Sequence, residues 1–158
     1  MRAGVVSDSH GSYERLAQAF AAMGPIDLLI HAGDGHAEAT RWRREHPEIR
    51  VEMVIGNCDF LASCPEEKLF YLDRWKVLLT HGHLYGTKAG LQRLVARGRE
   101  LQAALVVYGH THQAVRLTDQ GLILFNPGSL SAPRSRGRPS FGLIQTGGGQ
   151  LEISHCYL

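Results

Sequence analysis

Leu28-Leu29-Ile30-His31-Ala32-Gly33-Asp34-Gly35 is the stretch on which the reading of the chain turns. Three apolar residues run into a turn of small residues that presents one carboxylate, Asp34. Gly and Asp turn a chain for reasons unrelated to chemistry, so a strand ending in Gly-Asp is weak evidence alone. It gains weight because four other apolar segments finish in the same manner. Residues 2–6 end in Ser7-Asp8-Ser9-His10-Gly11, and residues 51–55 end in Gly56-Asn57-Cys58-Asp59. Residues 75–80 run into His81-Gly82-His83, and residues 104–108 into Gly109-His110-Thr111-His112.

Helical patterns separate the first strands. Ser12 can N-cap a helix in which Tyr13, Leu16, Ala17, Phe20 and Met23 recur at helical spacing, and Gly24-Pro25 stops it. A second helix is expected from about 37 to 45, ending before Pro47, with Arg41, Arg43 and Arg44 on a solvated face. Residues 68–72 and 75–80 read as an antiparallel hairpin about Asp73-Arg74. An amphipathic helix is expected over 88–99, with Leu91, Leu94 and Val95 on its apolar side. Beyond His112 the pattern becomes all-β, with short strands at 115–117, 122–125, 141–145 and 151–157. One loop there holds Asn126-Pro127-Gly128-Ser129 and the basic run Arg134-Ser135-Arg136-Gly137-Arg138. Strands alternating with helices, then a run of strands, give an α/β fold with more than one sheet layer. Ligands in open α/β sheets collect beyond the carboxyl ends of the strands.

Composition bounds the function classes. The 158 residues suit a single domain over 1–158, and 44% hydrophobic with 20% charged residues is ordinary for a soluble globular protein. A net charge of +2 does not by itself support a nucleic-acid partner. No apolar run approaches a membrane span, so no membrane partner is expected. Three cysteines without a secretory signal point to a reducing, cytoplasmic setting. Assembly into a homo-oligomer is left open.

Nine histidines are the unusual part of the composition. The five loops collect Asp8, His10, Asp34, Asn57, His81, His110 and His112, all oxygen or nitrogen donors. Such sets suit catalytic Mn²⁺, Fe, Co²⁺, Ni²⁺ or Zn²⁺, whereas structural zinc sites are usually Cys-rich. A single catalytic zinc takes about three protein ligands. Seven fit two divalent metals about 3.5–4 Å apart that share a ligand. Asp34 is the natural bridge, because a carboxylate can bind both ions while adding one negative charge. Two divalent cations less two carboxylate charges leave the centre positive, which suits a hydroxide and an anionic phosphoryl group.

The ordered loops resemble those of the calcineurin-like metallophosphoesterases. Asn126-Pro127-Gly128-Ser129 extends the resemblance toward the small bacterial and archaeal phosphodiesterase branch of YfcE-type proteins. The resemblance runs from Asp8 to Ser129. It implies an α/β fold built as a four-layer, two-sheet β-sandwich flanked by helices, with a dinuclear centre at one edge. It implies a metal-dependent phosphodiesterase of small phosphorylated substrates, in which a hydroxide bridging two divalent metals, Mn²⁺ favoured, attacks phosphorus. By motif, Asp8, His10, Asp34 and His112 would hold the first metal, and Asp34, Asn57, His81 and His110 the second. Asn57 would also orient the phosphate. Alternatives are a phosphomonoesterase, a dinucleoside polyphosphate hydrolase, or a non-catalytic interaction scaffold similar to the retromer subunit of this fold.

One departure matters. Many members of the superfamily carry a His after the Asn as the proposed general acid, and here Cys58 occupies that place. The proton for the leaving group would then come from His83 or from metal-bound water, or not be needed with good leaving groups. Cys58 itself is expected to be a small buried residue. Asp59 is expected to cap its loop or to orient a ligand histidine. His31 is expected to be structural, and Asn126 to Ser129 to close the site against the ligand loops. Arg134, Arg136 and Arg138 either meet a second anionic group of the substrate or form a solvated run.

Overall fold

The computed structural model describes residues 1–60, 62–133 and 137–158. Strand β1 (Arg2–Val6) leads to helix α1 (Tyr13–Met23), β2 (Leu28–His31), α2 (His36–Glu45) and β3 (Arg50–Met53). The hairpin of β4 (Glu67–Leu72) and β5 (Trp75–Thr80) follows, then a 3₁₀ turn at His83–Tyr85, α3 (Gln92–Glu100) and β6 (Leu105–Val107). Strands β7 (Ala114–Asp119), β8 (Leu122–Pro127), β9 (Ser140–Gly147) and β10 (Gln150–Tyr157) complete the chain. They form two five-stranded sheets, ordered β10-β9-β1-β2-β3 and β4-β5-β6-β8-β7.

The layering follows from the two-residue period of the strands. Val5, Leu28 and Ile30 of the first sheet face Val77, Leu79, Leu105, Val107 and Phe125 of the second, and this is the central core. Their neighbours Val6 and Leu29 point the other way, onto Leu16, Ala19 and Met23 of α1 and Trp42 of α2. Leu78, Val106 and Leu124 point outward from the second sheet onto Leu94 of α3. The result is helices, sheet, sheet, helix, as expected. Each fully buried Leu, Ile or Val contributes about 1.5–3 kcal/mol to holding the layers together. No helix of the described residues is long and apolar enough to cross a membrane.

Three local expectations are corrected. Ala17 is exposed and Ala19 takes its place in the buried stripe of α1. Ser12 precedes α1 but its side chain makes no capping hydrogen bond. Helix α3 begins at Gln92 rather than 88, because Gly86 (φ +63°) and Gly90 (φ +157°) interrupt the helical backbone before it.

Glu67 ties α3 and the 3₁₀ turn to β4. It lies 2.7 Å from Arg97 Nη2 and accepts the Tyr85 hydroxyl. Burial alone would raise its carboxyl, but Arg97 and Tyr85 outweigh that and hold it below the usual range. A depressed carboxylate contributes stability above its unfolded pKa and loses it as pH falls through the folded value. Glu67→Gln should therefore melt earlier than wild type at pH 7, and the difference should close below about pH 4. Thermal melts across that range check it.

Candidate metal centre

Strands β1, β2 and β3 run parallel in one sheet, and β5 and β6 run parallel in the other. Their carboxyl ends deliver all five ligand-rich loops to one edge of the sandwich. Backbone hydrogen bonds tie the loops together: Asp8 N–H to Gly33 O, His10 N–H to Asp34 O (3.0 Å each), and Gly109 N–H to His81 O (3.1 Å).

The backbone of these loops is unusual. Asp8 (φ +55°), His10 (+43°), Asp34 (+54°), His110 (+67°) and His112 (+58°) are all left-handed. Such conformations cost on the order of 1–3 kcal/mol each, and they persist where surroundings over-determine them. Two glycines permit the crowding. A Cβ on Gly56 would stand 2.1 Å from Asp34 Oδ1, and one on Gly109 would stand 2.0 Å from Ser7 Oγ.

The donors converge in overlapping groups. Ligand atoms of Asp8, His10 and His112 lie within 4.8 Å of one another, as do those of Asp8, Asp34 and His81. His112 Nε2 is 3.0 Å from Asp8 Oδ1, and His10 Nε2 is 3.7 Å from it. Asp34 Oδ2 is 3.3 Å from His81 Nε2 and 3.9 Å from His10 Nε2. The imidazoles are aimed by their far nitrogens: His81 Nδ1 lies 2.8 Å from Ala32 O, and His112 Nδ1 lies 2.8 Å from Ala132 O. A ring that donates through Nδ1 turns a lone pair on Nε2 toward the carboxylates when neutral. Among the described residues, Asp8 Oδ1 and His81 Nε2 are buried and have no hydrogen-bond partner. Lone pairs facing lone pairs in a buried site call for a cation between them, so this donor set fits divalent metal.

The electrostatics agree. Burial alone would raise the Asp34 carboxyl, but His81 and the Cys58 N–H (2.8 Å) outweigh it and hold Asp34 well below the usual range. Burial would lower His81, yet Asp34 and Asp8 raise it, so positive charge is favoured at this point. His110 is pushed down to about 4 by burial and then by the charge on His81, which leaves its ring neutral at pH 7. Its ring centroid lies 5.0 Å from that of His81. His83 is also lowered, by burial and His81, and its Nδ1 is buried with no hydrogen-bond partner among the described residues. Its ring lies 5.4 Å from His81 and 6.1 Å from His110.

Asn57 stands apart. It is exposed, and its carboxamide donates to Cys58 Sγ (3.3 Å) rather than to the clustered residues. Cys58 is exposed, not buried; its backbone N–H reaches Asp34, and its Sγ lies within 4.8 Å of ligand atoms of Asp34 and His10 at the mouth of the site. Partial desolvation and then Asp34 push its thiol up to about 11, so it stays protonated at neutral pH. A cavity of about 410 Å³ opens beside the cluster, lined in part by His10, Asp34, His36, Cys58 and Phe60.

Supporting residues were only partly legible. Asp59 takes the loop-capping role: its carboxylate accepts the N–H groups of Asp34, Gly35, His36 and Gly56 at 2.8–2.9 Å. Asn126 donates to Gly109 O (2.7 Å), and Ser129 and Ser131 donate to Asp8 O (2.9 and 3.0 Å), so this segment does brace the ligand loops. His31 is fully buried and accepts the Gly33 N–H. Glu38 and Ser9, which also join this network, carry no signal in the sequence beyond an acid in a helix's first turn. Arg134, Ser135 and Arg136 lie outside the described residues, while Arg138 donates to Leu158 O.

A family model of the calcineurin-like phosphoesterase superfamily domain matches residues 1–149. The chain is 37% identical to the probable metallophosphoesterase YsnB of Bacillus subtilis over 143 residues, 89% of this chain and 81% of that protein. It is 32% identical to the phosphodiesterase YfcE of Escherichia coli over 162 aligned positions, covering 87% of this chain and 84% of YfcE. Among solved structures, a conserved protein of Streptococcus pneumoniae described as a predicted phosphoesterase superimposes with a TM-score of 0.84. Its identity is 27%, and the match covers 99% of this chain and 88% of the other.

Proposed function

The chain belongs to the calcineurin-like phosphoesterase superfamily, and from that premise we propose that it is a phosphodiesterase that works with two divalent cations, Mn²⁺ favoured. The observation that carries this reading is one buried carboxylate oxygen facing two imidazoles: Asp34 Oδ2 lies between His81 Nε2 and His10 Nε2. Asp8, His10, Asp34 and His112 would hold one cation, and Asp34, Asn57, His81 and His110 the other. When bound, the cations supply activated water at neutral pH and positive charge for the phosphoryl oxygens.

The chain supplies orientation and charge. Asp34 stays ionised, and the Cys58 N–H on Oδ1 leaves Oδ2 turned toward both halves of the cluster. Ala32 O and Ala132 O keep His81 and His112 facing inward. Asn57 joins by turning its carboxamide away from Cys58. The cavity beside His10 and Asp34 gives room for the ester group of a small phosphodiester.

His83 is the candidate donor of the leaving-group proton in the fraction whose ring is protonated, a fraction that grows as pH falls because burial and His81 lower this group, while Cys58, pushed up to about 11, is a much weaker acid. His83→Ala should lose about 100-fold in kcat on an alkyl ester, whose leaving oxygen needs a proton, and little on a p-nitrophenyl ester. Equal, small losses on both esters would remove His83 from this role.

The overall reading is tested with chelator-treated protein and bis-p-nitrophenyl phosphate. Turnover should fall to background and return with Mn²⁺, and Ni²⁺, Co²⁺, Fe and Zn²⁺ complete the metal series. A clear preference for monoesters in the same screen would replace the diesterase assignment. Absence of turnover with every metal would favour an interaction scaffold.

A further inference from the structure

The first turn of α2 carries a buried carboxylate that the chemistry above does not use. Glu38 is 8% exposed. Its Oε1 accepts two hydrogen bonds, from Ser9 Oγ (2.9 Å) and from the Gly11 N–H (2.6 Å). Ser9 Oγ also lies 3.3 Å from His31 Nε2, and His31 Nδ1 accepts the Gly33 N–H at 3.2 Å. These bonds fix the direction of the chain of protons. With Nδ1 accepting, the neutral imidazole carries its proton on Nε2 and donates it to Ser9 Oγ, whose own proton goes to Glu38. Burial lowers His31 and keeps the ring neutral. Ser9 and His31 are fully buried, so the bond between them is out of reach of solvent, while Glu38 and Gly11 line the cavity beside the cluster.

We propose that Glu38 is a positioning residue for the half of the metal centre built by Asp8, His10 and His112. The inference rests on the two-cation reading above. Acting through Ser9, Glu38 sets the spacing between the Asp8-to-Gly11 loop and the Gly33-Asp34 loop. Ser9 sits between Asp8 and His10, both left-handed, and Gly11 closes the same turn at φ +85°. The two bonds to Glu38 hold that turn from behind, in the way that partners beyond the ligands hold metal-binding side chains in line. His81, on the other half, is anchored separately, to Ala32 O. Loss of Glu38 therefore falls first on the cation held by Asp8, His10 and His112, and reaches the other only through the shared Asp34.

The test is calorimetric titration of metal-free protein with Mn²⁺, with circular dichroism and melting of each variant. Wild type should take up two ions. Glu38→Ala should keep one close to wild-type affinity and bind the other about 10–100-fold more weakly. Ser9→Ala, which removes one oxygen, should act in the same direction. Glu38→Gln should retain most of the affinity, because its single amide oxygen can accept both bonds that Oε1 now accepts. If Glu38→Ala does not fold, Ser9→Ala decides. Two ions bound at wild-type affinity in these variants, or equal weakening of both ions, overturns the proposal. Wild-type protein that takes up fewer than two ions overturns the two-cation reading itself, a result distinct from the first.

Discussion

Asp34→Asn is expected to lower phosphodiester turnover about 1,000-fold at saturating Mn²⁺ while leaving the fold in place. Asp34 is 3% exposed, and its two oxygens have different tasks. Oδ1 accepts the Cys58 N–H, and an asparagine oxygen can keep that bond. Oδ2 faces His10 and His81, and there the variant presents an NH2 group, which has no lone pair free for a cation and carries no charge. One substitution thus removes the shared ligand and one of the two negative charges that balance the centre. Steady-state kinetics on bis-p-nitrophenyl phosphate measure the loss, and calorimetry should show weaker uptake of both ions. Undiminished turnover would defeat the bridging role.

Asp59→Ala is expected to combine a stability loss of about 2–4 kcal/mol with a loss of activity of about 100-fold, although Asp59 belongs to neither half of the centre. Its carboxylate is the shared acceptor for four backbone N–H groups, three of them at the start of α2 and one on Gly56. An anion at a helix N-terminus is favoured by the helix dipole as well as by the bonds themselves. Removing it frees the Asp34 loop and the Gly56 loop together. Asp59→Asn should rescue poorly. One oxygen can still serve Gly35 and His36, but the new amide meets the N–H groups of Asp34 and Gly56, donor against donor. Denaturant melts and kcat on the same preparations check both variants. A variant as stable and active as wild type would show that solvent replaces the carboxylate.

What could be read from the chain depended on the range of the interaction. The strands were legible as short apolar runs, but which of Val5 and Val6, or of Ile30 and Leu29, faces the second sheet was not, because both faces of the sheet are covered and both neighbours are apolar. The strand ends follow from Gly, Asp and His at the close of apolar runs. Asp8, His10, Asp34, His81 and His112 come together because parallel strands deliver their carboxyl ends to one edge. Glu38 was not legible, since its partner Ser9 lies 29 positions away and an acid in a helix's first turn has an ordinary local explanation. The left-handed backbone at five of the seven named ligand positions was equally hidden, because Asp and His carry no mark of φ. Cys58 misled for a related reason. A small apolar residue suggests burial, but this one lines an open cavity, exposed to solvent while its Sγ stays within 4.8 Å of ligand atoms of Asp34 and His10.

That placement of Cys58 separates two duties within one residue. The peptide N–H holds Asp34, and any residue other than proline supplies it. The side chain stands beside the same carboxylate, its Sγ within 4.8 Å of ligand atoms of Asp34 and His10, and it lines the cavity. A change at position 58 therefore keeps the peptide's hold on Asp34 but alters the group that stands next to that carboxylate at the mouth of the cavity.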